Sequence, residues 1–137
     1  MAKYFGLLVV VLFLTSCEKE DIQSYDLPIL ELDGRLPLDE NGYYHLKLNP
    51  TSNQTIHRIT GKVLNTTEPT KVSWWSNLTW EYKGEVVPTI NEASYVGNDG
   101  EINTVIAPIY SMRYDTLKVK STINEWNITQ TLNIVLE

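Results

Sequence analysis

Few side chains in this sequence are of kinds that do chemistry, and fewer stand where they could cooperate. Its two histidines, His45 and His57, have no cysteine or carboxylate partner at the short intervals of a zinc site. His45 shares strand parity with Tyr43 and Lys47 and reads as a surface side chain. Asp39-Glu40-Asn41-Gly42 opens as a cation-binding loop would, but lacks the acidic ligands that must follow, and reads as a turn. Serine and histidine are present without the nucleophile elbow or the zinc-protease helix that would make them work together. The expectation is a non-enzyme without cofactor or metal. The aromatic residues say more, with four tryptophans in one small chain. Trp74 and Trp80 fall on the apolar parity of their segment, as core residues do. Trp75 falls with Asn77, Thr79 and Glu81, and an indole beside amide and carboxylate groups can hold a sugar ring. Its apolar face stacks on the sugar while polar neighbours take the hydroxyls. Trp75 and Asn77 are therefore the candidate ligand-binding residues. Trp126, at the end of an expected hairpin, is expected to close the core.

The N-terminal segment carries an address. Lys3 precedes Tyr4 to Leu14, an uncharged run of 11 residues, against the roughly 20 that span a membrane. It has the length of a signal-peptide core, roughly 7–15 residues. Leu14-Thr15-Ser16-Cys17 follows and resembles the lipobox of bacterial lipoproteins, in which small residues precede an acylated cysteine. Cys17 is the sole cysteine, so an internal disulfide is impossible and lipid attachment gives the thiol a use. The resemblance implies a leader at 1–16, removed before Cys17, and a chain anchored through lipid rather than spanning. Two or three acyl chains hold stably, since each buried CH₂ contributes roughly 0.8 kcal/mol. Glu18-Lys19-Glu20-Asp21 is similar to the surface-export signal of Bacteroidetes lipoproteins, with Lys19, Glu20 and Asp21 as its core. That implies an outer-membrane protein exposed at the cell surface. Asp115-Thr116-Leu117 is similar to the O-glycosylation acceptor of exported proteins of that phylum, with Thr116 as acceptor.

Removing residues 1–16 leaves 121 of the 137 residues, enough for one domain. Loss of Lys3 takes the formal net charge from −6 to −7, which argues against nucleic acid as a partner. The acids are scattered and serve solubility. Alanine is scarce while serine, threonine and asparagine abound, a mix poor for helices and suited to sheets.

Residues 17–26 read as a tether too polar to bury itself, and 27–137 as the folded domain. Alternation then marks strands within Leu27–Leu32, around Tyr44, Leu46 and Leu48, and around Ile59, Gly61 and Val63. Val72 to Tyr82 alternates for longer than one strand should, so a bulge or turn is expected near Ser76-Asn77. Val86-Val87 before Pro88 reads as a short edge strand. Asn98-Asp99-Gly100 is a turn ahead of Ile102 to Tyr110. Leu117, Val119, Ser121 and Ile123 share one face, as do Trp126, Ile128, Gln130, Leu132, Ile134 and Leu136. A turn at Asn124-Glu125, with Asn124 taking the positive φ, pairs Ile123 with Trp126 and brings both apolar faces to one side.

Seven or eight strands with frequent turns imply an all-β sandwich of two antiparallel sheets. Leu78 to Val86, with Trp80 ahead of Gly84, resembles strand C of immunoglobulin-like domains, without their cysteine pair. The resemblance implies an Ig-like fold. Three roles remain open: a binding or adhesion module for protein or glycan, an accessory subunit of a larger outer-membrane complex, and a carbohydrate-binding component.

Overall fold

The computed structural model describes residues 27–65 and 71–137. The expected leader, Cys17, and the 17–26 segment with Lys19, Glu20 and Asp21 lie outside the described residues. Strand-forming alternation becomes, among the described residues, an all-β fold of ten strands: β1 (Ile29–Asp33), β2 (Tyr43–Leu46), β3 (His57–Leu64), β4 (Lys71–Ser76), β5 (Thr79–Tyr82), β6 (Glu85–Pro88), β7 (Ala93–Tyr95), β8 (Glu101–Ile106), β9 (Thr116–Ile123) and β10 (Ile128–Leu136). A single 3₁₀ turn, Tyr110–Met112, precedes β9.

The strands form a three-stranded sheet ordered β1-β3-β8 and a five-stranded sheet ordered β2-β10-β9-β4-β7. They stack as in a β-sandwich. Leu30, Ile59, Val63, Ile102 and Ile106 from the first sheet meet Val72, Trp74, Leu117, Val119, Ile123, Ile134 and Leu136 from the second in one buried cluster. A third sheet, the β5-β6 hairpin, stands apart. Its two-residue turn places Lys83 at φ 51° and Gly84 at φ 81°. That left-handed pair matches the twist of a tight hairpin and favours glycine at the second position.

Two parts of the sequence reading need correction. Among the described residues there are ten strands rather than seven or eight, because Asn77-Leu78 ends β4 before β5 starts and because β7 is a three-residue piece too short to show alternation. The sheets are also not wholly antiparallel. After β1 the chain crosses to the other sheet, where β2 runs parallel to β10 with Leu46 beside Leu136.

The break expected near Ser76-Asn77 is where the long alternation divides, and a buried polar knot fixes it. The Ser76 and Thr89 hydroxyls lie 2.8 Å apart, and both reach the Leu78 carbonyl, at 3.3 and 2.8 Å. Burial makes such hydroxyls costly unless partnered, so each one holds the others in place. The knot ties the base of the β5-β6 hairpin to the sandwich. Asn98-Asp99-Gly100 turns into β8 as expected, and the Gly100 carbonyl accepts from the Val63 amide at 2.8 Å.

The β9-β10 hairpin keeps its predicted faces but not its predicted turn. Ile123 pairs with Ile128, so the loop is Asn124 to Asn127, and the positive φ, 52°, falls on Asn127 rather than Asn124. Trp126 therefore sits in the loop, 49% exposed, and does not close the core as expected. The apolar faces still coincide because Trp126 and Ile128 have the same parity, and a loop lengthened by two residues leaves parity unchanged.

Ile134 is fully buried between the sheets, and truncation there leaves a cavity among close-packed neighbours. Ile134→Ala is expected to cost about 2–5 kcal/mol, read as a lower denaturation midpoint with unchanged slope. A loss under 1 kcal/mol would show that the two sheets do not meet at this residue.

Candidate binding face

The outer face of the five-stranded sheet is built by the residues between the buried ones. Leu117, Val119, Ser121 and Ile123 point inward from β9, so Thr116, Lys118, Lys120 and Thr122 point outward. Register then sets their neighbours. Trp75 of β4 lies opposite Lys120 and Ser73 opposite Thr122, while β10 places Thr131 beside Lys120 and Asn133 beside Lys118. Trp75 is 51% exposed, against 4% for Trp74. The parity rule thus separates the adjacent tryptophans as the sequence suggested. Trp74 turns inward over the small Ser121 and donates from its indole N–H to the Ser94 hydroxyl at 2.8 Å. Trp75 presents its ring to solvent with the Lys120 ammonium 6.0 Å from the ring centroid, a distance at which cation and ring attract.

Asn77 has a different role from the one its residue type suggested. Its side-chain NH₂ donates to the Thr116 carbonyl at 3.1 Å, and its side-chain oxygen accepts from the Lys118 amide at 2.7 Å. Its own amide donates to the Lys118 carbonyl at 3.2 Å. Where β4 has stopped, the carboxamide thus replaces a strand's backbone and continues the ladder along β9. These two bonds give the carboxamide a structural role beside Trp75. Hydroxyls share this face with the indole on three strands, Ser73 on β4, Thr122 on β9 and Thr129 and Thr131 on β10, of which local spacing around Trp75 reveals only the first. Thr122 and Thr129 bond across those strands at 3.1 Å, and Asn124 donates to the Ser73 hydroxyl at 2.6 Å. Thr116 is exposed at the start of β9, facing outward as expected.

Neither histidine is an isolated surface group. His57 donates from Nε2 to the Gly34 carbonyl at 2.7 Å, pinning the loop that leaves β1. His45 stands between two carboxylates: Nε2 lies 2.8 Å from Asp39 Oδ2, and Nδ1 is bonded to Glu137. This corrects the reading of His45 as a plain solvent-facing side chain. The segment 39–42 is a turn, as expected, and is held by the same aspartate. Asp39 Oδ1 accepts from the amides of Asn41 and Tyr43, both at 2.9 Å, around Gly42 at φ 84°.

Carboxylates only accept, so an imidazole flanked by one at each nitrogen is held as imidazolium. The hydrogen bond that His45 donates to Asp39, then that to Glu137, raises the His45 pKa above its ordinary 6.5. The bond from His45 in turn lowers Asp39 below its ordinary 3.8. Because the carboxylates occupy opposite edges of the ring, they cannot converge on one ion. Among the described residues no group of three or more such side chains is placed to hold a metal.

The other outer face is different in kind. On the three-stranded sheet Glu31, Lys62 and Glu101 alternate across neighbouring strands. A hollow of about 470 Å³ there is lined by Asp33, Arg35 and Arg58 as well as those residues. Both signs mix, so the hollow has no net preference for a charged ligand. No protein family and no curated protein matches the chain.

Two measurements check these assignments. Trp75→Ala is expected to leave stability within about 0.5 kcal/mol, whereas Asn77→Ala removes two side-chain bonds and costs about 1 kcal/mol. Equal effects in denaturant titrations would contradict the division of labour. The His45 link follows from sign. A raised histidine pKa gives stability that is complete below pH 6.5 and lost as pH rises through the folded value. A lowered aspartate pKa gives stability present above pH 3.8 and lost on further acidification. The melting-temperature difference between wild type and His45→Gln is therefore expected to peak between those values and shrink on either side. A difference independent of pH would remove the imidazolium.

Proposed function

We propose that the chain is a lipid-anchored lipoprotein of the outer membrane, displayed at the cell surface, whose Ig-like domain acts as a non-catalytic binding module. The observation that carries the binding role is the outer face of the five-stranded sheet, with half-exposed Trp75 among lysines and hydroxyls. The Leu14-Thr15-Ser16-Cys17 signature supports the anchor, and the acidic run after it supports surface display. The Ig-like reading is supported by strand order. Taking β1, β3 and β8 as strands A, B and E leaves β10, β9, β4 and β7 as G, F, C and C′, the arrangement of the variable-type sandwich. On this reading β2 is the part of the first strand that changes sheets, which accounts for its parallel pairing with β10. The tryptophan in the strand C position is then Trp74, which is buried, and not Trp80.

The carbohydrate reading is favoured within this role because an exposed indole on a face that also carries hydroxyls matches a sugar ring. O-glycosylation of Thr116 belongs to the same surface and would place a covalent glycan at one end of that face. Function here is drawn from the site and not from the fold, which hosts many unrelated roles.

Three readouts in the native host test the proposal. Labelled fatty acid is expected on the wild-type protein and absent from Cys17→Ser. Protease added to intact cells is expected to remove the domain. Titration with a panel of glycans is expected to quench tryptophan fluorescence, with the response lost in Trp75→Ala. An unlabelled, protease-resistant protein would overturn anchor and display, and a silent panel would overturn the binding role.

A further inference from the structure

The two outer faces differ in charge as well as in shape. On the five-stranded sheet Lys71, Lys118 and Lys120 are exposed, and no outward position of β2, β4, β7, β9 or β10 is aspartate or glutamate. Asp115, Glu125 and Glu137 lie beyond the strand ends. This is a cation-bearing face on a protein of net charge −6. On the opposite sheet Lys62 stands in one row between Glu31 and Glu101. Acidic residues are thus common in the chain and absent from the outward strand positions of this sheet, where Asp39 and Glu137 reach only its β2 edge, at His45.

We propose that this face binds an acidic polysaccharide, with Trp75 stacking on a sugar ring and Lys118 and Lys120 meeting its negative groups. The inference rests on the binding-face reading above and narrows it to a ligand class. Lys118 and Lys120 are two residues apart on one side of β9 and so stand roughly 6.6–6.8 Å apart. Trp75 lies directly across from Lys120, and Thr131 lies on that lysine's other side. One row therefore offers a stacking ring, a cation and a hydroxyl, three complements to a charged sugar. Strands are rigid, so the row is formed before the ligand arrives and little ordering is lost on binding. The large exposed hydrophobic side chains on the strands of this face, Tyr43, Trp75 and Tyr95, are all aromatic, as sugar stacking needs, and none is an aliphatic chain of the kind that enters a bilayer.

The test uses the full chain in phosphatidylcholine nanodiscs, titrated with polygalacturonate, dextran sulfate, neutral dextran, and phosphatidylglycerol vesicles. Binding to polygalacturonate or dextran sulfate is expected, with none to dextran. It should weaken as salt rises and fall at least tenfold in Lys118→Gln/Lys120→Gln and in Trp75→Ala, both checked for unchanged thermal melting. Equal binding to neutral dextran that still needs Trp75 would overturn the acidic ligand and leave the binding face standing. A preference for the vesicles would replace the polysaccharide with a membrane surface. If no probe binds, or if the variants bind as wild type does, both the ligand class and the face itself are lost.

Discussion

Everything on this surface depends on the period-two alternation of β9, the strand between β10 and β4 in the larger sheet. Leu117, Val119, Ser121 and Ile123 are all fully buried on one side. Hydrophobic burial at those positions holds the strand in register, and the register in turn decides what lies on the other side. A slip of one residue would drive Lys118 and Lys120 into the core and expose the aliphatic residues, at the cost of burying two ammonium groups. The core thus specifies the outer face without touching it. Lys120 faces Trp75 because Val119 and Ser121 are inside.

A strand with neighbours on both sides transmits that placement sideways. Pairing with β4 places Trp75, and pairing with β10 places Thr131 and Asn133, so residues distant in sequence form one row. Where β4 ends, the Asn77 carboxamide continues the bonding that its backbone would have made. At the far edge β2 adds Tyr43 and His45. There the imidazolium ties the 39–42 turn to Glu137, and the backbone of residues 37–39 bonds the outer edge of β2, which would otherwise offer unpaired groups. The pH window of that link describes the edge of the sheet and not the row around Trp75.

Much of this was readable along the chain, because alternation is a local signal. The opposite fates of Trp74 and Trp75, the break before β5, the turn at 39–42 and the shared face of β9 and β10 all follow from parity and turn chemistry. What could not be read depends on pairing between distant segments. His45 reads as solvent-facing until β2 is laid beside β10, which brings Glu137 to it. Asn77 reads as a ligand group until β9 is laid beside β4, which engages its carboxamide in the ladder. Trp126 was misplaced for a local reason: the four-residue loop preserves parity, so the pattern fits two turn lengths equally well. The parallel β2-β10 pair left no mark in the sequence, since alternation is blind to strand direction.

A flat, preformed row has a further consequence for how such a module would be used. It contacts a ligand on one side only and encloses nothing, so each copy has little area with which to offset the translational freedom lost on association. One tryptophan and two or three exposed cations, screened within about 8–10 Å at physiological salt, support weak attachment per copy. On the proposed reading, lipid anchoring alters that result. Many copies share one surface, and a polysaccharide repeats its charged unit along its length. Once one copy is bound, the next meets its site at an effective concentration set by spacing on the surface and not by the bulk solution. Weak rows can then hold a polymer firmly while each contact still exchanges quickly. An open face that carries lysines and hydroxyls suits repeated contact with a polymer better than a deep pocket would, and the proposed anchor is what makes that weakness sufficient.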